Sequence, residues 1–430
     1  MTLTRPLVSE MQQVSTHRAE RRLLIISAAF LLVNFVALAL QRQTSAAPWL
    51  HILVWMVCAL GGHLVLNRYL PHRDRVLFPL VMFLSGWGLI IIDRLAPTFA
   101  DRQTIWLAIS VAAMLAAAIF KQPLHWLRYY RYTLFFGGLA LLVATIILGQ
   151  NPSGSGPELW LGFAGVYFQP SEALKLILIA FLASYLGEQY PIMRRLNPKN
   201  SGPTFPIRIL GPILLMWGLC VLMLIWQRDL GTAALFFIVF LTMLYIASGR
   251  TLIMIGGALL LLLAGILAYV WIDLVQLRID IWLNPWPDAD NRAFQIVQSL
   301  MAFGAGGIFG QGVAQGSPAY IPVVHSDFVM AALAEEWGLL GVIVVIICIA
   351  VIVMRATRIG LLNQARPFYT LFAVGIGLLI GVQSLLIMMG ILKLLPLTGV
   401  TLPFLSYGGS SLLVSFIMVG LLLRLSSGVR

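Results

Sequence analysis

Few side chains in this sequence can do chemistry, and most of them fall in five short stretches. In Gln169-Pro170-Ser171-Glu172-Ala173-Leu174-Lys175 a carboxylate and an ammonium stand three residues apart, neighbours on one face of a helix that Pro170 would open. The run that follows is apolar, and an ionisable group inside a membrane costs about 2.5 to 3.5 kcal/mol. Such a pair either neutralises itself to tolerate insertion or faces a wet cavity, where Lys175 would meet an anionic substrate. In Gln227-Arg228-Asp229-Leu230-Gly231-Thr232 the aspartate reads either as a helix N-cap or, beside Arg228, as the charged mouth of a cavity. His325-Ser326-Asp327-Phe328 leads into an apolar run that contains Glu335 and Glu336. Asp327 there is either a simple cap or a carboxylate able to take a proton from an attacking hydroxyl, the general-base role.

Two further stretches are built to bend. One runs from Arg278 through Trp282-Leu283-Asn284-Pro285 to Gln295 and Gln298, then into Gly304-Ala305-Gly306-Gly307-Ile308-Phe309-Gly310-Gln311-Gly312. Five glycines in nine residues permit tight turns and close approach to a ligand, but the strand-then-helix context and lysine of a phosphate-binding loop are absent. A reentrant, purely structural loop is the alternative. The other runs from Leu395-Pro396-Leu397-Thr398-Gly399 through Leu402-Pro403-Phe404 to Ser406-Tyr407-Gly408-Gly409-Ser410-Ser411. Prolines and glycines within so apolar a stretch predict a discontinuous helix pair, an arrangement that often lines a binding site, with a plain turn as the alternative.

The elements that position these residues must be membrane helices. With 430 residues, 60% hydrophobic and 10% charged, the chain is too apolar for an ordinary water-soluble domain. Apolar runs of the length a span needs recur with short polar breaks, and twelve are read, centred near Ala29, Val57, Leu84, Ala113, Leu141, Ile179, Met216, Phe237, Leu261, Val344, Gly377 and Met418. The first follows Arg18, Arg21 and Arg22, is long, and lacks a small-residue cleavage site, so it reads as a retained anchor. The residues before Arg18 read as a polar, disordered tail.

The net charge of +12 is topological and does not point to nucleic acid. With the N-terminus inside, Arg5, Arg18, Arg21, Arg22, Arg68, Arg73, Arg75, Lys121, Arg128 and Arg131 fall on the cytoplasmic side. Arg194, Arg195, Lys199, Arg208, Arg250, Arg355, Arg358, Arg366, Arg424 and Arg430 join them. Arg42, Arg94, Arg102, Arg228, Arg278, Arg292 and Lys393 lie opposite, and Lys175 lies within a span. The bias of roughly three to one is what the positive-inside rule asks for, with both termini cytoplasmic. Two long outer loops, about 149–169 and 273–328, are expected to fold back over a cavity, and Asp93, Asp101, Glu158, Asp229, Asp273, Asp280, Asp288, Asp290 and Asp327 lie on that side. Cys58, Cys220 and Cys348 sit inside spans without the spacing of a disulfide framework or metal site, and no internal repeat is visible.

Taken in order, the five motifs resemble the SEDS family (shape, elongation, division and sporulation), above all in the Pro-x-Thr-Gly, Leu-Pro-Phe and Ser-Tyr-Gly-Gly-Ser-Ser series. The resemblance runs from about Val76 to Leu423 and implies an all-α polytopic fold of about twelve transmembrane helices, a ten-helix core plus two more in front. The implied segments are a tail at 1–20, two extra helices at 21–75, the glycosyltransferase core at 76–424 with its outer loop 273–328, and a tail at 425–430. The implied activity is polymerisation of lipid II at the outer face of the cytoplasmic (inner) membrane. A sugar hydroxyl attacks the growing strand, and undecaprenyl diphosphate leaves with inversion.

On this resemblance Asp327 matches the essential outer-loop aspartate, Glu172 and Lys175 the paired cavity residues, and Arg278, Gln295 and Gln298 the covering loop. Trp160, Gln169, Ser171, Arg228, Asp229, His325, Ser326, Lys393, Thr398, Ser406 and Tyr407 complete the expected substrate site. The implied partners are lipid II, undecaprenyl-linked glycan and a class B penicillin-binding protein. No cofactor is implied, and whether a divalent cation assists the diphosphate is open. Departures from the family pattern are Glu158 and Leu159, where a basic residue often precedes Trp160, and Val323 and Val324, where an acid often follows Pro322. A lipid II flippase would use the same cavity charges, and a non-enzymatic scaffold for a transpeptidase would leave them replaceable.

Overall fold

The computed structural model describes residues 5–42, 49–151, 157–163, 165–195 and 207–428. In chain order the helices are α1 (Arg5–Arg42), α2 (Trp49–Tyr69), α3 (Leu77–Leu95), α4 (Pro97–Ile119), α5 (Gln122–Tyr129) and α6 (Arg131–Leu148). A small antiparallel hairpin, β1 (Leu161–Phe163) and β2 (Val166–Phe168), precedes α7 (Pro170–Arg195), α8 (Ile207–Trp226), α9 (Leu230–Ser248) and α10 (Thr251–Trp271). The remainder are α11 (Asp273–Leu283), α12 (Phe294–Gly306), α13 (Val329–Leu362), α14 (Pro367–Ile391) and α15 (Gly409–Ser426). Among the described residues eleven helices are long and apolar enough to cross a membrane, and α8 adds a shorter apolar run, Leu214–Trp226. All twelve centres expected from hydropathy therefore lie in helices. Two expectations change. Helix α1 reaches back to Arg5, where a disordered tail was expected, and the 273–328 segment carries two further helices. Lys199 and Arg430, counted on the cytoplasmic side, lie outside the described residues.

The chain divides into two compact units, Met1–Phe120 with Ala302–Arg355 and Phe404–Arg430, and Lys121–Met301 with Ala356–Pro403. In the first, α1 packs on α3 through an aromatic cluster in which Phe30 meets Trp87 at 5.0 Å and Trp87 meets Trp337 edge-on at 5.5 Å. Glu20 of α1 is fully buried and receives Arg73 at 2.5 Å, Arg75 at 3.3 Å and His63 of α2 at 3.1 Å. A carboxylate out of water is tolerated only when paired in this way. In the second unit α7 is central, packing against α6, α9 and α14. Helix α10 keeps its apolar side chains exposed along its length, as a helix solvated by lipid does.

The glycine-rich stretch after α12 turns out to be a splice. Helix α13 is broken at Gly338 (φ 66°, ψ −166°), which would strand backbone groups on both sides of the break. The loop supplies their partners. Gln311 N and Gly312 N donate to the carbonyls of Glu335 and Glu336 at 2.9 and 3.0 Å, and Leu339 N and Leu340 N donate to those of Gly307 and Ile308 at 2.9 and 3.2 Å. So close a backbone approach leaves no room for a Cβ, which at Gly306 would sit 1.9 Å from the Ala334 carbonyl oxygen. Arg94 of α3 clamps the same loop, donating to the Gly316 carbonyl at 3.2 Å and pairing with Glu336 at 3.3 Å.

A clash of this kind costs about 1 to 3 kcal/mol. Gly306→Ala is therefore expected to lower the thermal unfolding midpoint in detergent. Gly304→Ala, at a position with nothing within 4 Å of an added Cβ, leaves it unchanged or raised. Equal midpoints for the two variants would remove the splice as a source of stability.

Candidate active site

In the second unit the first motif folds as its spacing predicts. Pro170 begins α7, and one turn on Lys175 Nζ lies 2.7 Å from Glu172 Oε1 and donates to Gln383 Oε1 of α14 at 3.1 Å. Gln383 Nε2 in turn donates to the Thr401 carbonyl at 2.7 Å. Lys175 is 1% exposed, Glu172 6% and Gln383 3%, so the ammonium is enclosed and already partnered. Toward the start of α7, Gln169 Nε2 donates to Ser171 Oγ at 3.0 Å, and Ser171 Oγ donates to Asp229 Oδ2 at 3.2 Å. Asp229 is the N-cap of α9, accepting from Thr232 N at 3.2 Å through its other oxygen. Asp229 is thus a helix cap, and the same side chain also joins α7 to α9.

The same unit gathers the covering residues. Arg278 Nη1 of α11 donates to the Thr398 carbonyl at 3.3 Å, and Gly231 packs on that carbonyl so tightly that a Cβ would lie 2.1 Å from it. Trp282 Nε1 donates to the Lys393 carbonyl at 3.2 Å. Trp160 pairs its backbone with Gln150 at the base of the hairpin, and Gln295 and Gln298 stand half-buried on α12. Arg228 and Lys393 share an unusual backbone, with φ of 61° and 58°. Non-glycine residues rarely hold the left-handed region, and strain of this kind concentrates at functional sites. Arg228 and Glu158 line a cavity of about 650 Å³ together with Gln227, Trp226, Thr145 and Leu274.

Asp327 belongs to the first unit, just before α13. Ser326 Oγ donates to Asp327 Oδ1 at 3.0 Å, and Ser406 Oγ donates to the Ser326 carbonyl at 2.5 Å. Tyr407 N donates to the His325 carbonyl at 2.9 Å, which ties the two motifs together backbone to backbone. Phe99 of α4 stacks on His325 at 4.9 Å and leans on Tyr407 at 4.8 Å. Gln103, also on α4, donates to the Ser406 carbonyl and accepts from Gly408 N, both at 3.4 Å. Burial pushes the His325 imidazole below its ordinary value, favouring the neutral ring. It raises the Tyr407 phenol, against the pull of the neighbouring Arg102 guanidinium. The site therefore offers a half-buried carboxylate with one oxygen oriented by a hydroxyl, next to a neutral aromatic wall.

The two charged clusters, Glu172 with Lys175 and Asp327 with its serines, thus fall in different units. Sequence reasoning missed Gln383, although a glutamine in the middle of an apolar span is itself a signal. It also missed Gln103 and Arg102, which sit near the start of a span among ordinary polar boundary residues. Among the described residues no three His, Cys, Asp or Glu side chains converge as a metal cradle.

The family model for FtsW, RodA and SpoVE, described as a cell cycle protein, matches residues 73–430. This chain belongs to that family. It is similar to the peptidoglycan glycosyltransferase RodA of Mycobacterium tuberculosis (strain H37Rv), 31% identical over 96% of this chain and 92% of the relative. It also resembles the probable peptidoglycan glycosyltransferase FtsW of Geobacter metallireducens, 35% identical over 77% of this chain and 86% of the other. A solved chain from "Structural coordination of polymerization and crosslinking by a peptidoglycan synthase complex" superposes with a TM-score of 0.68 at 25% identity, covering 82% of this chain and 97% of its own. The match to the family model begins at residue 73, and α1 and α2 of this FtsW/RodA/SpoVE-family chain precede it in sequence.

Removing one partner of a buried ion pair costs about 3 to 5 kcal/mol, so Lys175→Met alone is expected to lower the unfolding midpoint sharply. Glu172→Gln combined with Lys175→Met removes both charges and should recover most of that loss. A double variant as unstable as Lys175→Met alone would show that the stranded carboxylate is not the cause.

Proposed function

We propose that this chain, a peptidoglycan glycosyltransferase, polymerises lipid II at the outer face of the cytoplasmic membrane with Asp327 as general base. The observation that carries the reading is the Asp327 carboxylate itself, half-buried beside the Ser406-Tyr407 segment with Ser326 Oγ on one oxygen. The named activity of the mycobacterial and Geobacter relatives supports the reaction class. In this mechanism Asp327 takes the proton of the acceptor sugar's 4-hydroxyl as its oxygen bonds to the anomeric carbon of the growing strand. The bond from that carbon to the diphosphate oxygen breaks, and undecaprenyl diphosphate leaves with the bonding electrons and with inversion at the carbon.

The diphosphate requires cations that are not already committed. Lys175 is held by Glu172 and Gln383, which leaves it a structural and orienting role. Arg228, exposed at a cavity and in strained backbone, is the better anchor, with Lys393 in the 393–398 turn, while Arg278 holds that turn through the Thr398 carbonyl. His325, Ser326, Ser406 and Tyr407 then position the base, while Gln169, Ser171 and Asp229 form the polar chain on α7 and α9. The partner in this reading is a class B penicillin-binding protein, supported by the likeness to a chain solved in work on polymerisation and crosslinking. Both termini are cytoplasmic, as the arginine bias requires.

Tyr320, 72% exposed in the turn before Asp327, tests the orientation. Tyr320→Cys in a cysteine-free background should react with an impermeant maleimide on intact cells, and labelling only after permeabilisation would invert the topology.

The base itself is tested by Asp327→Asn, which keeps the shape and removes the proton acceptor. Loss of a base lowers turnover about 10²- to 10⁴-fold, with lipid II binding and the unfolding midpoint near those of the parent. Polymerisation within a few-fold of the parent would remove Asp327 from the mechanism, whereas a parent chain that makes no glycan would favour a flippase, which needs no base.

A further inference from the structure

Helices α1 and α2 stand in front of the region that defines the family, yet they meet the segment that leads to Asp327. Asn34 of α1 is 6% exposed, and its amide is fixed by donating to the Phe30 carbonyl at 2.7 Å. Its Oδ1 accepts from Trp337 Nε1 at 3.1 Å, and Trp337 is the residue immediately before the break in α13. One end of α1 goes further. Gln41 Oε1 accepts from Gln315 Nε2 at 2.9 Å, on the loop that is spliced into that break. The loop is anchored from the other side as well, where Ser317 N donates to Glu335 Oε1 at 2.7 Å. From Ser317 the chain makes one turn, Pro318–Tyr320, and then a second in which Ser326 N and Asp327 N donate to the Val323 carbonyl at 3.2 and 3.4 Å.

One contact meets α13 beside its break and the other meets the irregular stretch between α12 and α13 that fills the break and leads on to Asp327. A loop docked on a broken helix by four backbone hydrogen bonds can shift as a body, and an added contact at each side of the break restricts that shift. Asn34 grips the broken helix and Gln41 the inserted loop, so α1 bridges the two parts of the splice.

We propose that α1 is a positioning element for the reaction, in which Asn34 and Gln41 brace the spliced loop and thereby set the place of the Asp327 carboxylate. The inference rests on the reading of Asp327 as the base. A displacement of about 1 Å at a reacting group is enough to cost as much as ~10²-fold in rate even when the mutated residue is distant. Asn34 and Gln41 act through Trp337 and Gln315 and touch no substrate in this reading.

The test uses the full chain in lipid nanodiscs and lipid II as the probe, with turnover and KM measured separately. Asn34→Leu with Gln41→Leu should lower kcat about ten-fold while KM stays within about two-fold, the pattern of a misplaced base. Gln41→Glu, which keeps an acceptor oxygen toward Gln315, should remain near the parent. A second arm places its link on exposed side chains, is compared with its own cysteine-free background, and so does not depend on tolerance at Asn34. In a background lacking Cys58, Cys220 and Cys348, Gln41→Cys with Gln315→Cys should be slow, and a short bismaleimide joining the two thiols should restore kcat. An unchanged kcat in the leucine variant, a rise in KM alone, or a tethered protein that stays slow would each overturn the inference. Should these variants behave as expected while Asp327→Asn polymerises normally, the brace stands and only its target is wrong. If the parent chain makes no glycan, the functional reading falls and the inference with it.

Discussion

A backbone N–H or C=O in hydrocarbon has no water to turn to, and leaving one unpaired costs several kcal/mol. Every helix in this chain that stops short or bends must therefore be met by another segment that takes over its hydrogen bonds. The break in α13 is met by the loop from Gly307 to Gly312. The end of α8 is met by its own chain, with Arg228 N and Asp229 N donating back to Ile225 and Leu224. The end of α14 closes through Leu394 N and Leu395 N, which share the Met389 carbonyl. The residues with chemistry collect at these closures because a closure is where irregular backbone, polar side chains and a surface meet.

Charge is handled by the same economy. Lys175, Glu20 and Glu336 are enclosed and each has an opposite charge at hand, so they stabilise contacts between helices and are poorly placed to bind an external anion. Arg228 is exposed instead, and Lys393 half-buried, each on a residue with left-handed backbone. Such geometry is retained when the surroundings over-determine it. Here the Trp282 bond to the Lys393 carbonyl and the Asp229 cap next to Arg228 do so. The division between committed and available cations follows from burial more than from residue type.

Much of this was legible beforehand. Twelve spans could be read because apolar length is a local property, and the pairing of Glu172 with Lys175 followed from helical spacing alone. The cap at Asp229 was visible in the residues after it. The glycine-rich stretch was ambiguous for a physical reason, since the same freedom from a Cβ serves a ligand and a neighbouring backbone equally. Only the carbonyl of Ala334 against Gly306 distinguishes the two. Partners far apart in sequence, such as Gln383 for Lys175 or Gln103 for Ser406, were hidden because helix pairing leaves no local pattern. The aspartate at 327 stood out by position and family likeness, and the same likeness named Ser326 and Ser406, while the hydrogen bonds that join them left no trace in the sequence.

The buried carboxylate of Glu20 shows that a boundary drawn by sequence likeness need not be a boundary in electrostatics. The family-matched region opens with Arg73, and Arg75 follows two residues later, so the core begins with two cations whose counter-charge is carried by the extension in front of it. A hybrid enzyme that joined this core to the N-terminus of a shorter relative would inherit both guanidiniums without their anion. Any exchange of parts between such relatives, in the laboratory or in evolution, must carry Glu20, Arg73 and Arg75 across together or change all three.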